Sequence, residues 1–382
     1  MEKTGYAMLY LAACGVEGVS PDKEFLNGVD KEKLYRLSHA HFIDAIVGTT
    51  LKKAGVALPQ GWNERISKAV RKVVLFDAER AKLFSFMEQK GIWYLPLKGI
   101  ILKDYYPAVG MRQMSDNDIL FDYNFCDEVQ KYMVSQGYEA VSVGTGNHDV
   151  YEKQPVYNFE LHRALYSELR QDGWAEYYED VKNRLILDDN ASYGYHFKDE
   201  DFYVYITSHA YKHYAGSGTG LRTLLDFYVY LKAKPDMDLA YIEKECEVLG
   251  IGEFEKQNRS LCKKVFHAST LKGMEDLMQR MSAEEKDMLL YYLSSGVYGS
   301  VERGVENRMK KFWKKIGSKS RVKYLWSRLF PDTAVIEKHY SSFYKHKIPL
   351  PFGYVHRVLK VLFDKKRRKN VIKELAVVKK IK

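Results

Sequence analysis

Apolar positions recur at helical spacing through the first ninety residues. Leu34, Leu37, Phe42, Ile43, Ile46 and Val47 follow one such pattern, and Ala69, Val70, Val73, Val74 and Phe76 follow another. Residues 77–90 prolong the second as a helix that Gly91 closes. The period then changes. Residues 92–95 are a short apolar run rich in strand formers, ended by Pro96, and residues 99–106 predict a short helix stopped by Pro107. Residues 116–121 read as a strand and 125–135 as a helix ended by Gly137. Residues 138–143, 148–152 and 156–162 read as further strands. Helical patterns return at 202–214, at 221–232 and within 238–300, with a glycine-rich turn at 216–220 between the first two. The fold class expected is therefore α+β: a helical region over 1–90, a small mixed-sheet core over 91–200, a helical region over 201–300 and a distinct segment over 301–382.

The strand at 116–121 carries the chemistry. Residues two apart on a strand share a face, so Asp116 and Asp118 project together while Ile119 and Phe121 face a core. Two adjacent carboxylates repel unless a cation sits between them, and Mg²⁺ or Mn²⁺ accepts such hard oxygen ligands. In the strand at 156–162, Tyr157, Phe159 and Leu161 alternate with Asn158, Glu160 and His162. A glutamate flanked by Phe and Leu calls for a partner, and beside the two aspartates it completes a site for two metal ions. Upstream, Lys98-Gly99 joins a flexible backbone to a cation, and Lys98 and Arg112 are placed to neutralise a triphosphate.

These residues resemble the uncharacterised nucleotidyltransferase family of the DNA polymerase β superfamily. The likeness rests on Leu97-Lys98-Gly99, on Arg112 through Asp116-Asn117-Asp118-Ile119-Leu120, and on Glu160-Leu161-His162. Later, His209-Ala210-Tyr211-Lys212-His213 and Leu224-Leu225-Asp226 match as well. It runs loosely from about residue 35 to residue 235, and more weakly through the segment around Phe330-Pro331. Two positions depart from the superfamily pattern: Lys98-Gly99 stands where Gly-Ser is common, and Asn117 stands where an apolar residue is usual. The resemblance implies transfer of an NMP from an NTP, ATP among them, to an acceptor hydroxyl. Asp116, Asp118 and Glu160 would be catalytic and would hold two Mg²⁺ or Mn²⁺ ions. Lys98, Gly99, Arg112, Ser115 and Lys212 would bind the nucleotide. His162, His209, His213 and Asp226 would support the ligands or meet the acceptor. Arg222 and Asp226, four apart on one helix, would form an ion pair. If Glu160 does not supply the third carboxylate, Asp122 and Asp149 are the substitutes.

Composition changes this picture in one respect. Residues 301–382 hold 24 Lys or Arg against 6 Asp or Glu, a net of +18 in a chain of +10 overall, which leaves residues 1–300 at −8. A basic segment of this kind attracts RNA or an anionic membrane surface. Phe330-Pro331 and Pro349-Leu350-Pro351 break it into pieces, and Phe352, Tyr354 and Phe363 give it apolar anchors. The acceptor expected is a small molecule or carbohydrate, as in polysaccharide metabolism. An RNA- or protein-modifying enzyme, toxin-like in action, is the alternative, and a non-catalytic nucleotide-binding scaffold is the third reading, disfavoured by retention of all three carboxylates. Cys14, Cys126, Cys246 and Cys262 form no zinc-ligand spacing and read as free thiols. No run of about 18 apolar residues predicts a transmembrane helix. Only Lys3 precedes the short apolar stretch 6–13, so it reads as an amphipathic first helix rather than an export signal. The expected location is cytoplasmic, with the basic segment able to hold the protein peripherally at a membrane.

Overall fold

The computed structural model describes residues 2–168, 172–297, 299–330, 354–356, 359 and 363–381. The chain divides into two compact units. Met1–Tyr211 with Gly220–Val297 forms the first, and Lys212–Thr219 with Tyr298–Lys382 forms the second.

The first unit is α+β. Its five-stranded mixed sheet contains β1 (Tyr94–Pro96), β2 (Asn117–Phe121), β3 (Glu139–Ser142), β4 (His148–Lys153) and β5 (Tyr157–His162), in the order β1-β2-β5-β4-β3. Within this sheet β2 and β5 run parallel; the other neighbours are antiparallel. A separate ladder of β6 (Leu185–Leu187) with β7 (Tyr195–Phe197) escapes the hydrophobic pattern. Its strands are three residues long, and Ile186 and Leu187 are exposed, so no alternation develops.

Alternation along the strands decides what each face of the large sheet carries. Ile119 and Phe121 of β2, Phe159 and Leu161 of β5 and Tyr151 of β4 share a buried core with Val73, Phe76, Leu83 and Met87 of the helix Trp62–Lys90. Val129 and Met133 of the helix Cys126–Ser135 complete it. Burial of each such side chain contributes roughly 1.5–3 kcal/mol, which fixes the register of both central strands. Asn117 also lies within this buried layer. Its Oδ1 accepts from Arg80 Nη1 at 2.9 Å, so a polar pair replaces the apolar residue usual at this place. The inward face of Trp62–Lys90 runs through Ala69, Val73, Phe76, Arg80, Leu83 and Met87, which leaves Val74 outside and exposed, contrary to its place in the sequence pattern.

The first helix, Lys3–Glu17, also departs from expectation. It is not amphipathic: every residue from Thr4 to Val16 except Tyr10 is buried. Its small residues let neighbouring helices approach. A Cβ on Gly15 would lie 2.6 Å from Ile46 Cγ1 of the helix Asp44–Lys53. The helix Gly252–Phe266 also packs against it.

In the second unit, Val305 and Met309 of the helix Val301–Ile316, Tyr324 of Arg321–Leu329 and Val377 and Val378 of Lys365–Lys380 form one small core. Glu374 ties it together, accepting from Tyr324 Oη at 2.8 Å and from Arg328 Nε at 2.9 Å. The breaks expected at Pro331 and at 349–351, and Phe352, lie outside the described residues. No described helix is long and apolar enough to cross a membrane.

Candidate active site

The face of the sheet opposite the core carries the polar residues. β2 and β5 pair in parallel with Asp118 opposite Glu160 and Leu120 opposite His162. Neighbouring strands lie about 4.8 Å apart, so the two acids stand side by side. Asp116 lies two residues before Asp118, one step ahead of the strand. Lys98 Nζ and His162 Nε2 both reach Asp118 Oδ1, at 2.6 and 2.9 Å. The turn that delivers Lys98 follows β1. Leu97 N donates to Asp118 O at 3.0 Å, and Lys98 then takes a positive φ of 47°, uncommon for a residue with a side chain. Gly99–Leu102 forms a single helical turn behind it, continued by the 3₁₀ turn Lys103–Tyr105.

The electrostatics are uneven. Burial opposes ionisation of Asp118, but Lys98 and His162 outweigh it and hold its carboxyl well below the usual range. Burial, reinforced by Asp118, pushes Asp116 up to about 6 even though Lys98, Arg222 and Arg112 oppose it. Burial and then Asp118 and Asp116 push Glu160 up to about 7. Burial also lowers His162 to about 4, so a neutral imidazole donates its Nε2–H to Asp118. Three carboxylates thus cluster on a partly buried face, where the repulsion among them is not fully offset by the nearby cations. Their oxygen donors suit Mg²⁺ or Mn²⁺, and Asp116, Asp118 and Glu160 are the residues that would hold such ions.

His148 also belongs to this face, although its sequence context does not mark it. Antiparallel pairing of β4 with β5 sets it opposite His162, and its Nε2 lies 3.7 Å from Glu160 Oε2. Ligand atoms of His148, Glu160 and His162 all fall within 4.8 Å of one another. Strand alternation was the available signal, but it needs the β4–β5 register, which no spacing reveals.

The cations around these acids stand in different circumstances. Lys98 is committed to Asp118. Arg112 is committed to Asp226, with Nε and Nη2 donating to Oδ1 and Oδ2 at 2.8 and 2.9 Å, while Tyr106 Oη donates to Oδ1 at 2.8 Å. The ion pair expected between Arg222 and Asp226 therefore does not form: Arg112 and Tyr106 occupy both carboxylate oxygens. Arg222 instead donates to Gln113 O at 3.4 Å and lies 4.9 Å from the Phe42 ring centre. Phe42 itself has a positive φ of 57°. Lys72, on the helix Trp62–Lys90, donates to Ser115 O at 3.0 Å. Burial lowers the pKa of both Arg222 and Lys72, helped at Arg222 by the like charge of Arg112 and opposed at both by Asp116. Both act on Asp116 electrostatically, and neither is marked as a site residue by its sequence context.

Gly99 lies directly beneath Arg112. A Cβ there would come within 2.6 Å of Arg112 Nη1 and 3.1 Å of Met114 Sδ. Because Asp226 holds that guanidinium on two bonds, it cannot swing aside without breaking them. Gly99→Ala is expected to lower stability by about 1–3 kcal/mol, read as a fall in the denaturation midpoint. An unchanged midpoint would show the guanidinium to be mobile.

The remaining candidates are placed as follows. The hydroxyl oxygen of Ser115 is buried and makes no hydrogen bond among the described residues. His209 lies on the helix Asp199–Tyr214, its ring centre 6.3 Å from that of Tyr205. Lys212 and His213 belong to the second unit. Of the substitute carboxylates, Asp122 caps Asn124 N at 3.2 Å, and Asp149 accepts from Arg163 and Gly144 N, each at 2.9 Å. Residues 27–267 match the family described as uncharacterised nucleotidyltransferase, which is more than half of the chain. No curated protein and no solved structure matches it. With its sheet, its acidic face and this match together, the chain belongs to the uncharacterised nucleotidyltransferase family.

Proposed function

We propose that this protein moves an NMP from an NTP to an acceptor hydroxyl, with Asp116, Asp118 and Glu160 holding two divalent ions. The observation that carries the reading is the parallel β2–β5 register, which sets Glu160 beside Asp118 on the polar face of the sheet. Bound Mg²⁺ or Mn²⁺ would neutralise the triphosphate and make the acceptor hydroxyl easier to deprotonate. The protein supplies the rest by positioning. Lys98 and His162 keep Asp118 ionised and oriented. Lys72 and Arg222, anchored on the carbonyls of Ser115 and Gln113, meet the phosphates on the Asp116 side. The acceptor oxygen bonds to the α-phosphorus as the bond to the pyrophosphate oxygen breaks, and Glu160 takes the hydroxyl proton.

Arg222 gives a way to separate binding from folding. A charge-assisted hydrogen bond to phosphate is worth about 1.5–3 kcal/mol. Arg222→Met is therefore expected to raise KM for the NTP roughly 10- to 150-fold with little change in kcat or melting temperature. Arg112→Met, which strands Asp226, is expected to lower the melting temperature instead. If Arg222→Met leaves KM unchanged, the phosphates do not meet this side chain.

The acceptor is proposed to be a small molecule or carbohydrate, with the basic segment as the feature favouring RNA or protein instead. Incubation with each labelled NTP, Mg²⁺ or Mn²⁺ and a cell extract tests the reading. Label resistant to nuclease and protease supports a small acceptor; loss to either enzyme identifies a macromolecular one. The Asp116→Asn, Asp118→Asn double variant is the control, and label transfer unchanged in it removes these carboxylates from the mechanism.

A further inference from the structure

The helix Arg321–Leu329 has two apolar sides. One is used: Tyr324 is buried in the small core of the second unit, and Leu325 packs against it. The other is not. Val322, Trp326 and Leu329 follow the i, i+4, i+7 spacing of a single helix face, and Phe330 caps it. They are 77%, 64%, 53% and 42% exposed, respectively. At 100° per residue the three helical positions fall within a narrow arc, with exposed Arg321 on one side of it and exposed Lys323 on the other. The Trp326 and Phe330 rings lie 4.6 Å apart, which gathers the aromatic end of the stripe into one patch. The nine residues contain no acid, and the segment 301–382 has a net charge of +18.

We propose that this stripe docks on an anionic lipid surface, with Val322, Trp326, Leu329 and Phe330 entering the headgroup region and the flanking basic side chains meeting lipid phosphates. Charge complementarity selects an anionic partner. The aliphatic members select among anionic partners: nucleic acid rewards cations and aromatic stacking, but offers little to an exposed Val and Leu. A bilayer interface rewards all three, with Trp at headgroup depth, aliphatic side chains below and Lys or Arg above. An apolar patch combined with a basic field supplies the two signals that stable peripheral binding requires. The helix would lie along the surface, since no described helix is built to cross it. This inference stands apart from the nucleotidyl-transfer reading and does not depend on it.

The test uses the full-length protein and vesicles of phosphatidylcholine, with or without phosphatidylglycerol. Cosedimentation is expected with the phosphatidylglycerol vesicles and not with neutral ones, and it should weaken as salt is added. Trp326→Ser with Leu329→Ser is expected to weaken that binding roughly 10²-fold through lost apolar burial, while the circular-dichroism melt stays unchanged because both side chains are exposed. A second variant, Arg321→Gln with Lys323→Gln, should bind anionic vesicles roughly tenfold or more weaker, at about 1 kcal/mol per basic side chain, but keep its fold. Three results would overturn the proposal: no cosedimentation with anionic vesicles, binding that ignores the Trp326 and Leu329 changes, or RNA binding that needs the stripe while vesicles are not bound.

Discussion

Asp118→Asn is expected to reduce NMP transfer on the order of 10³-fold while the protein remains folded. The substitution keeps the shape of the side chain and removes its charge. Stabilisation of the transferring phosphoryl group by ligated divalent ions is worth several kcal/mol, and each 1.36 kcal/mol is tenfold in rate. Folding should survive for a reason visible in the charges. Lys98 loses its partner at 2.6 Å, and a buried cation stranded this way would ordinarily cost about 3–5 kcal/mol. Asp118 is also what raises Asp116 and Glu160 after burial itself. Once its charge is gone, both acids ionise more readily and Lys98 gains replacements. Initial rates with a labelled NTP, set beside a thermal melt, check both halves. Transfer within tenfold of the parent would place the reaction away from this strand.

The two central strands show how far sequence reasoning reaches. The period-two alternation of Tyr157, Phe159 and Leu161 against Asn158, Glu160 and His162 is enough by itself to assign each residue to a face, and so is Ile119 against Asp118. The α+β class follows from where helical spacing gives way to that alternation near residue 92. Pairing does not follow. That β2 lies beside β5 rather than β3 is a long-range fact, and it alone brings Asp118 next to Glu160 and, through β4, His148 next to His162. Cations are harder still. Arg112, Arg222 and Lys72 look alike in a sequence. Only the packed helices show that Asp226 has claimed Arg112, and that Arg222 and Lys72 rest on backbone carbonyls with charge to spare. Asn117, which weakens a sequence-based strand assignment, is explained by Arg80 from a helix 37 residues upstream.

Glu160→Gln is expected to abolish transfer and yet stabilise the metal-free protein above neutral pH. Burial and then the charges of Asp118 and Asp116 raise the Glu160 carboxyl from 4.5 to about 7. A carboxyl whose pKa is higher folded than unfolded binds its proton more tightly in the folded state. Its favourable contribution is complete below pH 4.5 and is lost as pH rises through about 7. Above that pH the folded chain carries an ionised Glu160 among other acids, at a cost of about 1–3 kcal/mol after allowance for partial exposure. Glutamine removes the cost because it has no charge to acquire. Without divalent ions, the variant and the parent should therefore melt together near pH 4.5 and diverge up to about pH 8, the variant being the more stable. Added Mn²⁺ reverses the order: it stabilises the parent increasingly with pH, since its protons must leave before the ion binds, and does little for the variant. A Glu160 that merely braced the sheet would give the opposite result, with the variant less stable at every pH and indifferent to the ion. Melting curves at the two pH values, with and without Mn²⁺, distinguish a metal-ligating acid from a structural one without any knowledge of the acceptor.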